Sequence, residues 1–309
     1  MKLFLTGVSG LVGAAVATAA ARRGHEVIGV SGRFTGPLEG LARRLTLDLA
    51  DEAALTAAVL ESFPDAIINC AAMSEPTQCD AQPALSEKLN VTLPATLARL
   101  AHHLSARFIH ISSEQVFDGA QTAPYRVDSP TNPITRYGRQ KLASEHAVLT
   151  AAPEFSAIVR APLLMGDSPG AQRSLHERLL ADWASGRTVR LYADEFRQPC
   201  TGENLAETLV ELAERPALRG VFHWAGRELF SRVQLGEAIR AHFKLTDAQA
   251  PIVVTHRTDN PAIAASRQAC LALDLAPLLG TLKTQPQTLS QQLASLKVPP
   301  LVRAWYHSL

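Results

Sequence analysis

The sequence predicts an α/β fold, a doubly wound parallel sheet with a smaller mixed region toward the C-terminus. Over the first 160 of 309 residues, short apolar strands alternate with helical segments, as in repeated βαβ units. These strands are apolar along their whole length, and the strands of a parallel sheet are buried on both faces. After residue 160, prolines divide the chain into shorter and less regular elements.

The elements of the first half can be assigned in order. The first helix is rich in Ala and is followed by Gly24, a common C-terminal cap. The second helix begins with Asp51 and Glu52, where the helix dipole favours acids. We predict strands at residues 2–6, 26–30, 45–47, 66–70, 107–111 and 156–160, and helices at 11–23, 51–63, within 80–103, and at 137–149.

Composition excludes several classes of function. Hydrophobic residues make up 47% and charged residues 19%, so the chain can bury a large core. The net charge is +1 without a long basic run, so neither nucleic acid nor a membrane surface is an expected partner. No G-x-S-x-G motif of a hydrolase occurs.

The cysteines indicate the compartment. The four, Cys70, Cys79, Cys200 and Cys270, form no C-x-x-C pair and have no His at metal-ligand spacing, so we expect reduced thiols, no metal and a cytoplasmic protein. Residues 3–21 carry no charge and imitate a secretion signal, but glycines, Thr6 and Ser9 interrupt their apolar core.

Three glycines join the first strand to the first helix in TGVSGLVG, residues 6–13. Their G-x-x-G-x-x-G spacing permits a tight turn and lets backbone N–H groups approach a pyrophosphate at the helix N-terminus. An ordinary βα turn is the alternative. We predict a Rossmann-type dinucleotide-binding domain at 1–160, to which the chain returns around 203–224. Residues 161–202 and 225–309 are predicted to form a smaller substrate-binding region. The predicted cofactor contacts here are Gly7, Ser9, Gly10, Leu11, Val12 and Gly13.

The end of the second strand indicates which cofactor is bound. An acid at this place commonly binds the ribose 2′-hydroxyl of NAD, but here Ser31 and Arg33 follow the strand. A hydroxyl and a guanidinium suit a 2′-phosphate, so we predict NADPH, with NADH as the alternative. Asp48 is placed to accept a hydrogen bond from the adenine amino group. Arg33 as a solvated loop residue and Asp48 as a helix N-terminal acid remain open.

A tyrosine, a lysine and a serine suggest carbonyl chemistry. Tyr137 and Lys141 are four residues apart on one helix face, and a nearby ammonium is expected to lower the pKa of the phenol. Ser113 ends the fifth strand, at the edge where open α/β sheets bind ligands. Together they could polarise a carbonyl group for hydride attack, although a surface helix pair is the plainer interpretation of Y-x-x-x-K. We interpret His110 as a core histidine and Ser112 as structural.

These motifs resemble the extended short-chain dehydrogenases/reductases over about residues 1–225. The resemblance implies that Ser113, Tyr137 and Lys141 form the catalytic triad. It also implies cofactor contacts from Tyr137, Lys141, Leu49, Cys70, Ala71, Ala72 and Pro162. The segments that carry it are TGVSGLVG (6–13), Asp48-Leu49, INCAAMSEP (68–76), SSEQVFDG (112–119), the Pro-x-x-x-Tyr-Gly approach (133–138), YGRQK (137–141) and VRAPLLMG (159–166).

Within that superfamily, VFDG (116–119) and DEFRQPCTGENLAETL (194–209) are most similar to the dTDP-4-dehydrorhamnose reductase family. The implied reaction reduces a 4-keto nucleotide sugar with hydride from NADPH and a proton from Tyr137, while Ser113 binds the oxygen. The resemblance also permits a homodimer. The implied substrate contacts are Met73, Ser74, Ser113, Gln115 and Arg197. Gln115 replaces a family tyrosine, which leaves the identity of the sugar open.

Three other functions are considered. Related 4,6-dehydratases carry an acid and a base after the catalytic hydroxyl, and Gln115 cannot serve as a base, so elimination is disfavoured. A nucleotide-sugar epimerase shares the triad and remains an alternative. So does a binding role like that of the regulatory subunit of methionine adenosyltransferase. Glu114 and Gln115 could instead form a solvated turn, and Arg197 could pair with Asp194 or Glu195.

Overall fold

The computed structural model describes all residues, 1–309. Its strands are β1 Lys2–Thr6, β2 Glu26–Val30, β3 Arg43–Leu45, β4 Ala66–Asn69, β5 Arg107–Ser113, β6 Ser156–Ala161, β7 Leu164–Met165, β8 Val189–Tyr192, β9 Phe196–Arg197, β10 Cys200–Thr201, β11 Gly220–His223, β12 Phe230–Ser231, β13 Ile252–Thr255 and β14 Cys270–Leu271.

Twelve α-helices accompany the strands. They are α1 Leu11–Arg22, α2 Glu52–Ser62, α3 Pro76–Ala81, α4 Pro83–Glu87, α5 Leu93–Leu104, α6 Arg136–Ala151, α7 Leu175–Ala184, α8 Gly202–Ala213, α9 Arg232–His242, α10 Pro261–Ser266, α11 Leu289–Ala294 and α12 Arg303–His307. A π-helix spans Lys88–Thr92, and short 3₁₀ helices span Glu114–Val116, Arg257–Asp259 and Pro300–Val302.

Seven strands form one parallel sheet in the order β11-β6-β5-β4-β1-β2-β3. The strand order reverses between β1 and β4, and ligands of such sheets bind beyond the carboxyl ends of the strands at this crevice. The predicted α/β class and doubly wound parallel sheet are therefore confirmed.

Hydrophobic cores cover both faces of the sheet. On one face, α1 and α8 pack over the strands around Leu5, Ile68 and Leu209. On the other face, α2 and α5 pack around Phe4, Ile67 and Phe108. Strands buried on both sides explain why the sequence shows apolar runs without alternation.

The part of the chain after β6 adds three small sheets, with the orders β10-β7, β12-β9-β14 and β13-β8. A separate core centred on Trp183 and Leu235 lies among α7, α9 and β8. The helix α8 packs on α1, and β11 extends the large sheet beside β6. The predicted domain division, with its return at 203–224, stays a prediction. No helix is both long enough and apolar enough to cross a membrane.

Several element boundaries differ from those predicted, mostly by one or two residues. The third strand is Arg43–Leu45, not residues 45–47, because its register follows β2, in which Val30 pairs with Leu45. The strand β5 continues two residues further, to Ser113, because β6 pairs with it to that point. The helical region 80–103 consists of the end of α3, then α4, the π-helix and α5.

Candidate active site

The glycine loop lies between the end of β1 and the start of α1. Gly7 has φ +72°, and a Cβ there would lie 2.7 Å from the backbone nitrogen of Ala71. A Cβ on Gly13 would lie 2.1 Å from the carbonyl oxygen of Gly7, so the helix packs on the loop backbone. The loop therefore has a shape that only glycine permits at these two positions. Of the other predicted contacts of this segment, Ser9 lies in the loop, Gly10 is the N-cap of α1, and Leu11 and Val12 lie in its first turn.

The residues after β2 are hydrogen-bonded by Arg44, which was not predicted from the sequence. Ser31 is buried, and its hydroxyl oxygen accepts a hydrogen bond of 2.9 Å from Nε of Arg44. The same guanidinium donates to the carbonyl oxygens of Gly36, at 2.8 Å, and Phe34. Arg33 is exposed at this edge of the sheet. Arg44 could have been found as one of two consecutive arginines immediately before Leu45.

The Asp48-Leu49 pair follows β3 in a short loop. Asp48 is exposed, and its Oδ1 accepts a hydrogen bond of 2.9 Å from the backbone N–H of Ala50. Leu49 borders a cavity of about 170 Å³ that is also lined by Glu52, Leu55 and Thr96. The side chain of Asp48 thus holds its own loop, and this loop lies beside a cavity next to the carboxyl end of the sheet.

The segment after β4 is held by an asparagine that was also missed. The π-helix places Asn90 fully inside the protein. The side-chain amide of Asn90 accepts a hydrogen bond of 2.9 Å from the backbone N–H of Met73 and donates one of 3.0 Å to the carbonyl oxygen of the same residue. Ser74 is exposed beside it. Cys70, Ala71 and Ala72 connect β4 to this segment. Nothing in the local pattern KLNVT distinguishes Asn90 from an ordinary helix residue.

The start of α6 lies directly against the end of β5. Thr135 caps the helix by accepting a hydrogen bond of 3.0 Å from the backbone N–H of Gly138. A Cβ on Gly138 would lie 2.2 Å from the carbonyl oxygen of Gln115, so only glycine allows this approach. As a result Tyr137, 7% exposed, lies near the hydroxyl of Ser113, 6% exposed.

Lys141 completes the group one helical turn later. It is 2% exposed, its Nζ donates a hydrogen bond of 2.8 Å to the carbonyl oxygen of Ile111, and it lies 5.9 Å from the ring centroid of Tyr137. The surface-pair interpretation of Y-x-x-x-K is therefore wrong, since both side chains are buried. Pro162 directly follows β6, whose Ala161 is in register with Ser113.

The electrostatics of this group differ from the expectation. Burial raises the pKa of Tyr137 well above its ordinary value, and the nearby hydroxyl of Ser113 opposes only part of this shift. Burial also lowers the pKa of Lys141 to about 8, against the attraction of Glu145. The expected lowering of the Tyr137 pKa is thus wrong for this structure, because desolvation of the phenolate is the largest contribution to the shift.

The turn after Ser113 is buried and not solvated. Glu114 is 3% exposed, its Oε1 lies 3.4 Å from Nε of Arg197, and its Oε2 has no hydrogen-bond partner. Burial raises the pKa of Glu114 to about 8, with Arg197 opposing the shift. The solvated-turn alternative is therefore wrong for Glu114. Gln115 is half-buried, and its Oε1 accepts a long hydrogen bond of 3.4 Å from Thr135.

Arg197 is held by protein groups on several sides. Its Nη2 lies 3.3 Å from Oε1 of Glu195, and its Nη1 donates to the carbonyl oxygens of Phe196 and Gln268. The pairing with Glu195 that was left open is present, whereas Asp194 pairs with an arginine elsewhere. Contact between Arg197 and a substrate stays a prediction.

Comparison with known proteins places the chain among reductase-like proteins. A family described as "RmlD substrate binding domain" matches residues 1–297. Methionine adenosyltransferase 2 subunit beta of Xenopus laevis is 31% identical over 280 residues, 86% of this chain and 81% of that protein. A probable low-salt glycan biosynthesis reductase, Agl14 of Haloferax volcanii, is 30% identical over 307 residues, 96% of this chain and 97% of that protein.

A solved structure shares the fold over nearly the whole chain. It is a dTDP-4-dehydrorhamnose reductase from Bacillus anthracis in complex with NADP, with a TM-score of 0.81 and 19% identity, covering 95% of this chain and 97% of that one. At this identity the likeness concerns the fold alone. In this chain, the carboxyl edge of the sheet carries the cluster of Ser113, Tyr137 and Lys141 described above.

Proposed function

This chain belongs to the RmlD substrate-binding domain family, and from that premise we propose that it is an NADP(H)-dependent reductase of a nucleotide-activated 4-keto sugar. The membership expected from the motifs is thereby confirmed, because the family match covers residues 1–297. The observation that carries the proposal is the meeting of Ser113, Tyr137 and Lys141, all buried, at the end of one strand.

The carboxyl edge of the sheet fits a nicotinamide dinucleotide. The glycine loop has no side chains at Gly7 and Gly13 and leads into a 12-residue helix whose N-terminus favours a pyrophosphate. No acid follows β2, and Ser31 with Arg44 instead offers a hydroxyl and a guanidinium suited to a 2′-phosphate. The Bacillus anthracis reductase binds NADP, which agrees with NADPH as the cofactor. NADH remains the alternative.

Each side chain of the triad has a separate role in the proposed reduction. Bound NADPH would supply a hydride to the carbonyl carbon. The Ser113 hydroxyl holds the carbonyl oxygen, and Tyr137 donates the proton that converts this oxygen into a hydroxyl group. The raised pKa of Tyr137 keeps its phenol protonated and ready to donate at neutral pH. Once the proton has left, the ammonium of Lys141 stabilises the phenolate.

The substrate class follows from the turn after Ser113 and from the relatives. Gln115 offers no titratable group, so the site lacks a base there for eliminating water, and simple reduction requires none. Agl14 of Haloferax volcanii is described as a reductase, and the Bacillus anthracis protein as a dTDP-4-dehydrorhamnose reductase. We therefore propose a 4-keto nucleotide sugar as the substrate, with Met73, Ser74 and Gln115 as its proposed contacts.

The test is reduction of keto sugars by purified protein. NADPH absorbance should fall with one of a panel of dTDP-, GDP- and UDP-4-keto sugars. Tyr137→Phe should lower kcat by about 10²–10⁴-fold while NADPH still binds. Tyr306→Phe, in α12, is the matched control and should retain activity. Full activity in Tyr137→Phe would refute the assignment of the proton donor.

A second candidate is a binding subunit, favoured by the 31% identity to methionine adenosyltransferase 2 subunit beta. Gel filtration of the chain with a catalytic methionine adenosyltransferase subunit tests it directly. NADPH binding without reduction of any keto sugar, together with co-elution, would support this role over the reductase. An epimerase would instead interconvert two sugars without consuming NADPH. A homodimer and a cytoplasmic location stay predictions.

A further inference from the structure

A chain of four buried polar side chains crosses the sheet beneath the proposed site. Thr6 on β1, Asn69 on β4, His110 on β5 and Ser144 on α6 are each at most 1% exposed. They are joined in series: Thr6 to Asn69 at 2.6 Å, Asn69 to His110 at 3.1 Å, and His110 to Ser144 at 3.0 Å. The hydroxyl of Ser144 then donates at 2.7 Å to the carbonyl oxygen of Lys141.

In this hydrogen-bonded series of four side chains, every hydrogen bond is donated in the same direction, from Thr6 toward Ser144. Oδ1 of Asn69 faces two donors, the hydroxyl of Thr6 and, at 3.3 Å, the backbone N–H of Ala71. The amide nitrogen of Asn69 must therefore donate to Nδ1 of His110, which assigns the imidazole proton to Nε2. This proton is donated to Oγ of Ser144, whose own hydrogen points to Lys141. Each hydroxyl and ring N–H is thus used once.

The two ends of the hydrogen-bonded series lie beside the glycine loop and beside Lys141. Thr6 directly precedes Gly7 of the glycine loop, and its Oγ1 also lies 3.4 Å from the backbone nitrogen of Ala71. At the other end, Ser144 is three residues from Lys141 on the same helix. His110 provides the link between them, because it joins the strand β5 to α6 through Ser144.

We propose that Thr6, Asn69, His110 and Ser144 are positioning residues that hold the glycine loop and Lys141 in a fixed relation. The inference rests on the proposed function, from which Lys141 takes its role. A one-directional chain allows a single arrangement, because reversing any member would set two donors or two acceptors against each other. A neutral imidazole is required, and burial together with the nearby Lys141 lowers the pKa of His110 well below its ordinary value.

Kinetics of three variants provide the first test. Ser144→Ala and His110→Phe break the chain, and Ser144→Thr restores a hydroxyl. With NADPH and dTDP-4-dehydrorhamnose, at a temperature where all variants are folded, we expect kcat to fall about tenfold or more in the first two, with little change in either KM. Ser144→Thr should recover most of the loss.

Ser156→Ala is the matched control, since Ser156 is a fully buried serine of the same sheet whose hydroxyl has no partner. Its kcat should stay within about twofold of the parent value. A role limited to stability would lower the unfolding temperature of Ser144→Ala and leave kcat unchanged, which would overturn the proposal.

Two further measurements need no sugar substrate. In ¹⁵N NMR spectra at neutral pH, His110 should be neutral with its proton on Nε2; the opposite tautomer or an imidazolium would overturn the proposed chain. The affinity for NADPH should fall about fivefold or more in Thr6→Val, because the loop loses its anchor, and an unchanged affinity would contradict the link to the loop. If the parent protein reduces no keto sugar, the proposed function fails. The tautomer of His110 and the NADPH affinity of Thr6→Val still decide whether the hydrogen-bonded series forms.

Discussion

The Glu145→Gln substitution tests whether a buried ion pair holds α6 against the sheet. Glu145 accepts hydrogen bonds from Arg160 at 2.9 and 2.8 Å and a further one from Ser112, and the two charged side chains are 2% and 6% exposed. Removing one partner of a buried pair leaves the other charge uncompensated, which costs about 3–5 kcal/mol. Because glutamine keeps the shape and one acceptor, we expect the lower end, about 3 kcal/mol.

The same substitution should alter the pH dependence of the reaction. The carboxylate of Glu145 opposes the effect of burial on the pKa of Lys141, which stands at about 8. Without this carboxylate the pKa of Lys141 falls further, so the loss of activity at alkaline pH should begin at a lower pH. The shift links the stability of α6 to the charge state of the proposed catalytic lysine.

The assay for Glu145→Gln is urea unfolding at pH 7, followed by the pH profile of kcat/KM. Glu154→Gln is the matched control, because Glu154 is exposed just beyond α6, and its free energy of unfolding should change by less than about 0.5 kcal/mol. The double variant Glu145→Leu/Arg160→Met should be more stable than Glu145→Gln, since it leaves no unpaired charge. A loss below about 1 kcal/mol in Glu145→Gln would refute the reasoning.

Three other predictions concern charge and cofactor choice. The kcat/KM of reduction should fall as the pH rises through about 8, because deprotonated Lys141 no longer stabilises the phenolate; a flat profile would contradict this. Arg44→Ala should weaken NADPH binding far more than NADH binding in calorimetric titrations, whereas exposed Arg43→Ala should not discriminate between them. Burial raises the pKa of Glu114 to about 8, so the folded state favours its protonated form, and the stability this contributes is present at low pH and lost as the pH rises toward 8. Glu114→Gln should flatten that dependence in unfolding curves recorded from pH 5 to 8, and equal slopes would refute it.

The local patterns of the sequence predicted the first six strands of the large sheet but not their fine register. The strands β1 and β2 have the predicted bounds because turns limit short apolar runs at both ends. The third strand was shifted by two residues, since hydrogen bonding to β2, a long-range effect, sets its position. The π-helix at Lys88–Thr92 was missed, because no local pattern marks it.

The candidate site shows a similar division. The motifs named Ser113, Tyr137 and Lys141, and the structure brings these three side chains together at the end of β5. The pKa values could not be inferred from the spacing of Tyr137 and Lys141, because they depend on how completely both side chains are buried. Arg44 and Asn90 were missed for the same reason, since only tertiary packing gives either residue its contacts.

The sequence by itself determined the order of strands and helices over the first 160 residues, the glycine loop and the side chains proposed to react. These depend on local backbone preference and on residue chemistry, which short segments carry within themselves. Only the tertiary structure decided that Glu114 is buried and that Arg197 is paired with Glu195, and only it joined Thr6 to Lys141 through His110. The physical reason is that burial and hydrogen bonding between distant segments arise when the sheet brings their ends together.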